Sequence, residues 1–294
     1  MRPARAIDTP GLETRPCILC GAVQSSHALT LGRHDYVRCR GCGLLSVRPF
    51  PDIRDLLSFY DDRGGRHVDP SVDPSGEAKV HRVRFSEELD RIEQDCRRGR
   101  VLDIGCAWGF FLAQCKERGW DTKGVDLSHV QTDYAKRRFG LDVFTGSLHD
   151  ARFPAGHFDV VTMWHVFEHF HDPLGTLREV RRVLKDDGTV VVAVPTPISA
   201  PDYVFQSMPL HLYYYDEDTL GRALRLAGFR VAKVFRGGGT GAAALMEKVG
   251  IRNSRRLIGN HLTLLWKAKR VLQRARCLAS IHKEITIYAV AEEP

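Results

Sequence analysis

Val101-Leu-Asp-Ile-Gly105-Cys-Ala-Trp-Gly109-Phe-Phe-Leu-Ala113 runs from an apolar strand pattern through a glycine-containing loop straight into a helical pattern. Gly105 and Gly109 let the backbone approach a ligand closely at a helix N-terminus, where N–H groups point outward. The glycines stand as G-x-x-x-G, and the dinucleotide fingerprint needs G-x-G-x-x-G, so a nicotinamide is disfavoured. Asp103, inside the strand end, would repel a pyrophosphate but suits a cationic ligand. Asp126 ends the next strand pattern 23 residues later, where an acid accepts hydrogen bonds from two ribose hydroxyls.

The same rhythm continues on both sides. Strand patterns fall at residues 101–104, 122–125, 142–145, 157–163 and 189–194, with helical patterns at 110–118, 130–139 and 173–184 and a turn at 185–188. Upstream, Val80, Val83, Phe85, Leu89 and Ile92 predict a helix over 77–98. Downstream come a helix at 216–227, a strand at 229–235 and a final alternating strand at 284–291. Strand and helix alternating at this spacing predict an α/β, doubly wound, mostly parallel sheet. With 294 residues, 43% hydrophobic and 27% charged, the chain can bury a real core. Collagen-like, disordered and disulfide-stapled miniprotein readings are excluded on that composition.

Composition also divides the chain. Residues 1–60 are expected to form a small cysteine-bearing module, 61–76 a linker or mobile loop rich in Gly, Pro, Asp and Ser, 77–235 the α/β core, and 236–294 a basic helical insertion with the final strand. The opening residues are polar and proline-broken, and no apolar run approaches the roughly 20 residues that span a bilayer. The expectation is a cytoplasmic protein, whose thiols stay reduced and whose clustered cysteines suggest metal.

Cys17-Ile-Leu-Cys20-Gly21 and Cys39-Arg-Gly-Cys42-Gly43 are two C-x-x-C-G knuckles with 18 residues between them. This spacing lets Cys17, Cys20, Cys39 and Cys42 meet one tetrahedral Zn²⁺, each trailing glycine freeing an N–H to turn toward sulfur. Four cysteines leave no open coordination position, which makes the expected zinc structural.

The formal charge is +7. Residues 248–283 contain ten Lys or Arg and no Asp or Glu, leaving a small acidic excess on the rest of the chain. Leu265, Ala268, Leu272, Ala275 and Ala279 repeat at three and four, with Lys267, Arg270 and Arg274 on another face, which reads as an amphipathic basic helix. It is expected either to pack on the sheet with a solvated face or to meet an anionic substrate or lipid headgroup. Nucleic acid is the less favoured partner.

Taken together, VLDIGCAWG (101–109), VDLS (125–128), FDVVTMWHVFEHFHDP (158–173), LKDDGTVVVAVPTP (184–197) and LRLAGFRV (224–231) resemble the class I S-adenosylmethionine-dependent methyltransferases. The resemblance covers about residues 77–235 and implies a Rossmann-like seven-stranded methyltransferase sheet with a small N-terminal zinc-binding module. It places S-adenosylmethionine on Asp103, Gly105, Ala107 and Gly109, its ribose on Asp126 beside Leu127, and its adenine beside Ser147 and Leu148. Ala107 stands where many members have glycine. The C-x-x-C-G pair, Phe59-Tyr60 and His-Leu-Tyr-Tyr-Tyr-Asp at 211–216 narrow the resemblance to a bacterial subgroup acting on sugars, polysaccharides and natural products.

Methyl transfer from a sulfonium is an in-line displacement, so the protein must align the nucleophile and often remove its proton. Met163-Trp-His-Val166 stands where adenine and glutamine N-methylating enzymes carry Asn/Asp-Pro-Pro-Tyr. His165, at the carboxyl end of its strand, is the first candidate for general base; the alternative is a histidine that packs on the cofactor. His165-Val-Phe-Glu168-His169 also spells the metalloprotease pattern H-x-x-E-H, which the surrounding frame rejects. That spacing puts His165, Glu168 and His169 on one helical face and leaves a metal-assisted transfer open. Otherwise Glu168 and His169 orient the loop. His211 joins the catalytic candidates, with Tyr60, Tyr213 and Tyr214 as substrate contacts.

These residues lead to an S-adenosylmethionine-dependent methyltransferase acting on oxygen or carbon of a small molecule. The acceptor is expected to be a sugar, glycolipid or natural product, anionic or sugar-linked. The alternatives are a ribosomal RNA methyltransferase and a non-catalytic S-adenosylmethionine- and zinc-binding scaffold.

Overall fold

The run Val190-Val-Val-Ala-Val194 has no polar alternation, the mark of a strand buried on both faces. In the computed structural model, which describes residues 15–31, 34–52, 74–195, 211–238 and 283–292, all five side chains are fully buried at the sheet centre. The N-terminal module supplies strands β1 (Ser25–Leu31), β2 (His34–Cys39) and β3 (Leu45–Arg48). Helix α1 (Pro74–Asp95) leads into β4 (Arg100–Ile104), α2 (Phe110–Glu117), β5 (Asp121–Asp126), α3 (His129–Phe139), β6 (Asp142–Thr145) and the short α4 (Leu148–Ala151). Then follow β7 (Phe158–Trp164), a single 3-10 turn at Phe167–His169, α5 (Pro173–Val183), β8 (Leu184–Pro195) and the two-residue β9 (Tyr213–Tyr214). The chain ends through α6 (Glu217–Leu226), β10 (Phe229–Gly238) and β11 (Lys283–Ala291).

Seven strands form one sheet in the order β10-β11-β8-β7-β4-β5-β6. The five from β4 to β8 are parallel, and β11 runs antiparallel to both β8 and β10. From β4 the chain winds outward to β5 and β6, then returns to the other side of β4 for β7. The carboxyl ends of β4 and β7 therefore flank the topological switch point, where open α/β sheets bind ligands.

The α/β class and the seven-stranded sheet agree with the sequence. Differences lie at element edges. Helix α1 begins at Pro74, three residues earlier than its apolar spacing predicts, and takes in Pro74–Gly76 of the expected linker. The expected turn at 185–188 is absorbed into β8, whose register to β7 jumps from Phe158↔Leu184 to Val160↔Thr189, so the extra residues form a bulge. Strands β1 to β3 had no reading from sequence. Tyr60, residues 61–73 and the basic stretch at 248–282 lie outside the described residues.

The N-terminal strands do not stand apart from the sheet. Leu19, Tyr36, Leu44, Leu45 and Val47 belong to the same buried cluster as Phe167, Tyr213, Tyr214, Tyr215 and the interior of β7 and β8. The link is a backbone pairing: β3 pairs with β9 through Leu45↔Tyr214 and Ser46↔Tyr213, completing a second sheet in the order β1-β2-β3-β9. On the opposite face of the large sheet, α1 and α2 pack Phe85, Leu89, Ile92 and Phe111 against Trp164 and Val191. Among the described residues no helix is long and apolar enough to cross a membrane.

Leu45 is 2% exposed at this junction, so Leu45→Ala is expected to cost about 2–5 kcal/mol. Because the junction is one core, urea unfolding of the variant should remain a single transition when followed by tryptophan fluorescence and by far-ultraviolet circular dichroism. Two separated transitions would show that the module and the sheet hold themselves together independently.

Candidate functional site

Between β4 and α2 the chain holds left-handed backbone at Gly105 (φ 72°), Ala107 (φ 48°) and Gly109 (φ 77°). The space a Cβ would fill at the two glycines is taken by the protein's own side chains. A Cβ on Gly105 would lie 2.7 Å from Val166 Cγ2, and one on Gly109 would lie 2.6 Å from Leu141 Cδ1. Backbone conformation and packing therefore require glycine here, whatever else the loop approaches. Ala107 adopts the same region at a cost of about 1–2 kcal/mol, which is why glycine is the residue expected there. The N–H groups of Gly105 and Cys106 both donate to the Val125 carbonyl, at 2.8 and 3.2 Å, and tie the loop to β5.

Two carboxylates sit under this loop. Asp126 accepts from Ala107 N at 2.9 Å and from Ser128 N at 2.8 Å, so it fastens the ends of β4 and β5 to each other. Asp103 is 2% exposed and accepts from Thr162 Oγ1 at 2.7 Å. Burial, with a smaller push from the Asp126 charge, raises the Asp103 carboxyl to about 8 against the bond from Thr162. Burial also raises Asp126 against the backbone N–H groups it accepts. Among the described residues neither acid has a lysine or arginine partner. Leu127, beside Asp126, keeps an exposed apolar side chain; Ser147 caps α4 in a reciprocal box with Asp150, and Leu148 is buried behind it.

His165 follows β7 with φ 54°. Arg84 Nη2 donates to Glu284 Oε2 at 2.8 Å and lies 2.7 Å from His165 Nε2, and Glu284 Oε2 is itself 2.8 Å from His165 Nε2. Burial and the Arg84 guanidinium push the imidazole down, while Glu284 opposes them. The shared helical face expected for His165, Glu168 and His169 is not formed. The left-handed residue turns His165 toward α1 and β11, while Glu168 and His169 sit in the 3-10 turn and gather with His211 instead.

Glu168 Oε1 lies 3.9 Å from His169 Nε2 and 3.8 Å from His211 Nε2. His211 is carried on a stretch that the N-terminal module holds. Tyr36 OH donates to the His211 carbonyl at 2.7 Å, Val47 N to the Leu212 carbonyl at 3.0 Å, and Leu212 N to the Glu168 carbonyl at 2.9 Å. Tyr213 and Tyr214 are buried rings, 3% and 2% exposed, with Tyr214 5.2 Å from His211 and 5.1 Å from Tyr36 between ring centres.

The four cysteines of the knuckles converge. Sγ of Cys17 lies 3.5 Å from that of Cys42, and Sγ of Cys20 lies 3.5 Å from that of Cys39. Neither pair is disulfide-bonded. With Zn–S bonds of about 2.3 Å, sulfurs at the corners of a tetrahedron sit roughly 3.8 Å apart, so this group could hold such an ion with small adjustment. The trailing glycines act differently from expectation. Gly21 N and Gly43 N donate to the carbonyls of Cys17 and Cys39 and close the knuckle turns; N–H groups of other residues reach the sulfurs, that of Gly41 lying 3.3 Å from Cys39 Sγ.

Sequence reasoning missed Tyr36, Arg84 and Glu284. Arg84 stands between Val83 and Phe85 on an apolar helix pattern, and Glu284 opens an otherwise apolar strand pattern. A charge in such a position signals a buried pair, but its partner lies 200 residues away along the chain.

A family model described as "Methyltransferase domain" matches residues 78–234, and the chain belongs to that family. The domain is of the S-adenosylmethionine-dependent class I type. A Mycolicibacterium smegmatis protein named "Probable S-adenosylmethionine-dependent methyltransferase" is 29% identical over 165 residues, 53% of this chain and 63% of that protein, so under two thirds of the relative is spanned. The ubiquinone biosynthesis O-methyltransferase of Neisseria meningitidis is 28% identical over 189 residues, 57% of this chain and 79% of that protein. Among solved structures, an S-adenosylmethionine-dependent methyltransferase from Archaeoglobus fulgidus shares the fold with a TM-score of 0.52 at 20% identity, covering 81% of this chain and 100% of that one.

The raised Asp103 carboxyl carries a stability cost with a defined sign. An acid that ionises at the ordinary 3.8 when unfolded and near 8 when folded loses the protein stability as pH rises between those values. Asp103→Asn keeps an acceptor for Thr162, so its melting temperature should match wild type near pH 4 and exceed it near pH 8. A gap that stays constant with pH would show that the acid is not held protonated. Ala107→Gly relieves the left-handed alanine and is expected to stabilise by up to about 1 kcal/mol, since the glycine's extra unfolded-state freedom offsets part of the gain. Thermal denaturation measures it.

Proposed function

We propose that the chain is an S-adenosylmethionine-dependent methyltransferase acting on a small molecule, with a structural zinc ion held by Cys17, Cys20, Cys39 and Cys42. One observation carries the reading. Asp103 is buried and Asp126 half-buried at the carboxyl ends of adjacent strands, under the glycine loop of a methyltransferase domain, and no cationic side chain among the described residues answers them. A ligand that brings its own positive charge and a sugar fits that vacancy of charge. When bound, S-adenosylmethionine supplies a methyl group on a cationic sulfur.

Asp103 would face the positive end of this ligand. Asp126 uses one lone pair on each oxygen for Ala107 and Ser128 and keeps the others for ribose hydroxyls. Leu127, Ser147 and Leu148 would border the adenine. The acceptor side falls to Glu168, His169 and His211, reached from the switch point between β4 and β7. His211 is the better candidate than His165 to act on the acceptor, because Arg84 and Glu284 already engage the His165 ring. Relatives named ubiquinone biosynthesis O-methyltransferases support oxygen as the accepting atom over carbon. The acid-free stretch at 248–283 suits an anionic acceptor or headgroup, and reduced cysteines suit the cytoplasm.

Tritiated S-adenosylmethionine incubated with the full chain and fractionated cell extract, followed by mass spectrometry, tests the reading. Label is expected in a small molecule and should survive ribonuclease treatment; label confined to RNA would replace the acceptor class. His211→Ala should lower turnover about 10²–10⁴-fold, the usual worth of a positioned proton acceptor, with S-adenosylmethionine affinity by calorimetry nearly unchanged. Binding of S-adenosylmethionine with no labelled product from any fraction would overturn the activity.

A further inference from the structure

Glu168 is 1% exposed, and neither of its carboxylate oxygens has a hydrogen bond to another described residue. An ionised carboxylate buried without donors is costly. The ring nitrogens of His169 and His211 lie 3.9 and 3.8 Å from Glu168 Oε1. These distances are too long for a direct hydrogen bond. They suit a shared ion: two ligand atoms each about 2.1 Å from one metal are separated by at most roughly 4.2 Å. The three candidate ligand atoms all lie within 4.8 Å of one another, so a small closure of the two rings would bring them onto one centre.

We propose that Glu168, His169 and His211 bind one divalent first-row transition ion, separate from the four-cysteine site. Two imidazole nitrogens with one carboxylate select zinc, manganese, iron or cobalt over magnesium and calcium, which take oxygen ligands. The rings of His169 and His211 meet edge to face, 4.8 Å between centres at 68°, leaving their edges convergent on Glu168. Both ends of the site are fixed by backbone bonds, from Leu212 N to the Glu168 carbonyl and from Tyr36 OH to the His211 carbonyl. His165, which H-x-x-E-H spacing would include, is held away by Arg84 and Glu284.

Three protein ligands leave coordination positions open, and an ion there lowers the proton affinity of an oxygen bound to it. That use of the ion for an acceptor hydroxyl rests on the methyltransferase reading; the binding of the ion does not.

The test is metal stoichiometry in the full chain, expressed with cobalt supplementation and dialysed to equilibrium against Co²⁺. Two cobalt ions per chain are expected in the wild type, one with thiolate-to-cobalt charge-transfer absorption and one without. Glu168→Gln, which keeps the side chain's shape, and His169→Ala should each bind one cobalt fewer with the thiolate absorption unchanged. That unchanged absorption reports that the N-terminal module is still folded. Retention of the wild-type number in Glu168→Gln, or no cobalt beyond the thiolate-bound ion in the wild type, would overturn the site. A chain that holds the second ion yet transfers no methyl group would support this inference and sink the reading above. Methyl transfer with only the thiolate-bound ion would do the reverse.

Discussion

Everything at the open end of the sheet depends on one five-residue turn that the chain can make only by going left-handed three times. Gly105, Ala107 and Gly109 reverse the direction of β4 within a single loop, and that reversal sends an N–H of Ala107 onto Asp126. It also leaves room at Gly105 for Val166, the first residue after His165, to pack against the backbone. The turn thus sets the distance between β4 and the segment that follows β7. A longer or right-handed connection would cost Asp126 its Ala107 donor and crowd Val166.

Electrostatics at this end are arranged in two separate lots. Asp103 and Asp126 are acids with backbone or hydroxyl donors and no cationic partner among the described residues. Arg84, His165 and Glu284 meet one another and join α1, the segment after β7 and β11. The first lot has charge to spare for a ligand; the second brings its own opposite charges together and serves as a clasp. A buried charge pair of this kind adds little net stability but is expensive to break on one side, which suits a contact that fixes where three distant elements meet.

The α/β alternation and the glycine loop were legible because each is local. Val190–Val194 shows two-sided burial in five consecutive letters, and Asp103 and Asp126 announce themselves by ending apolar strands. The cysteine knuckles were legible for the same reason. What stayed hidden is non-local. Strands β1 to β3 are short and mixed in character, and they are specified by β9, a partner of two residues from far down the chain. The division of the histidines could not be read either. H-x-x-E-H implies a common face only if the segment is helical, and His165 is left-handed, with Arg84 and Glu284 meeting its ring from outside the motif. His211 was a candidate in isolation, but its meeting with Glu168 required the whole N-terminal module.

That module also sets an order of events during synthesis. Tyr36 must wait for His211, 175 residues later, before its hydroxyl finds its acceptor. At about 5–20 residues per second the ribosome needs roughly 10–40 seconds to deliver it. Throughout that interval β3 presents an unpaired edge and the apolar side chains of Leu44, Leu45 and Val47 lack their cover, the circumstances under which nascent chains stick to one another. Closing the four cysteines early would hold the hairpin in register while it waits. The knuckles would then matter most before the protein is finished, as a device for surviving its own translation.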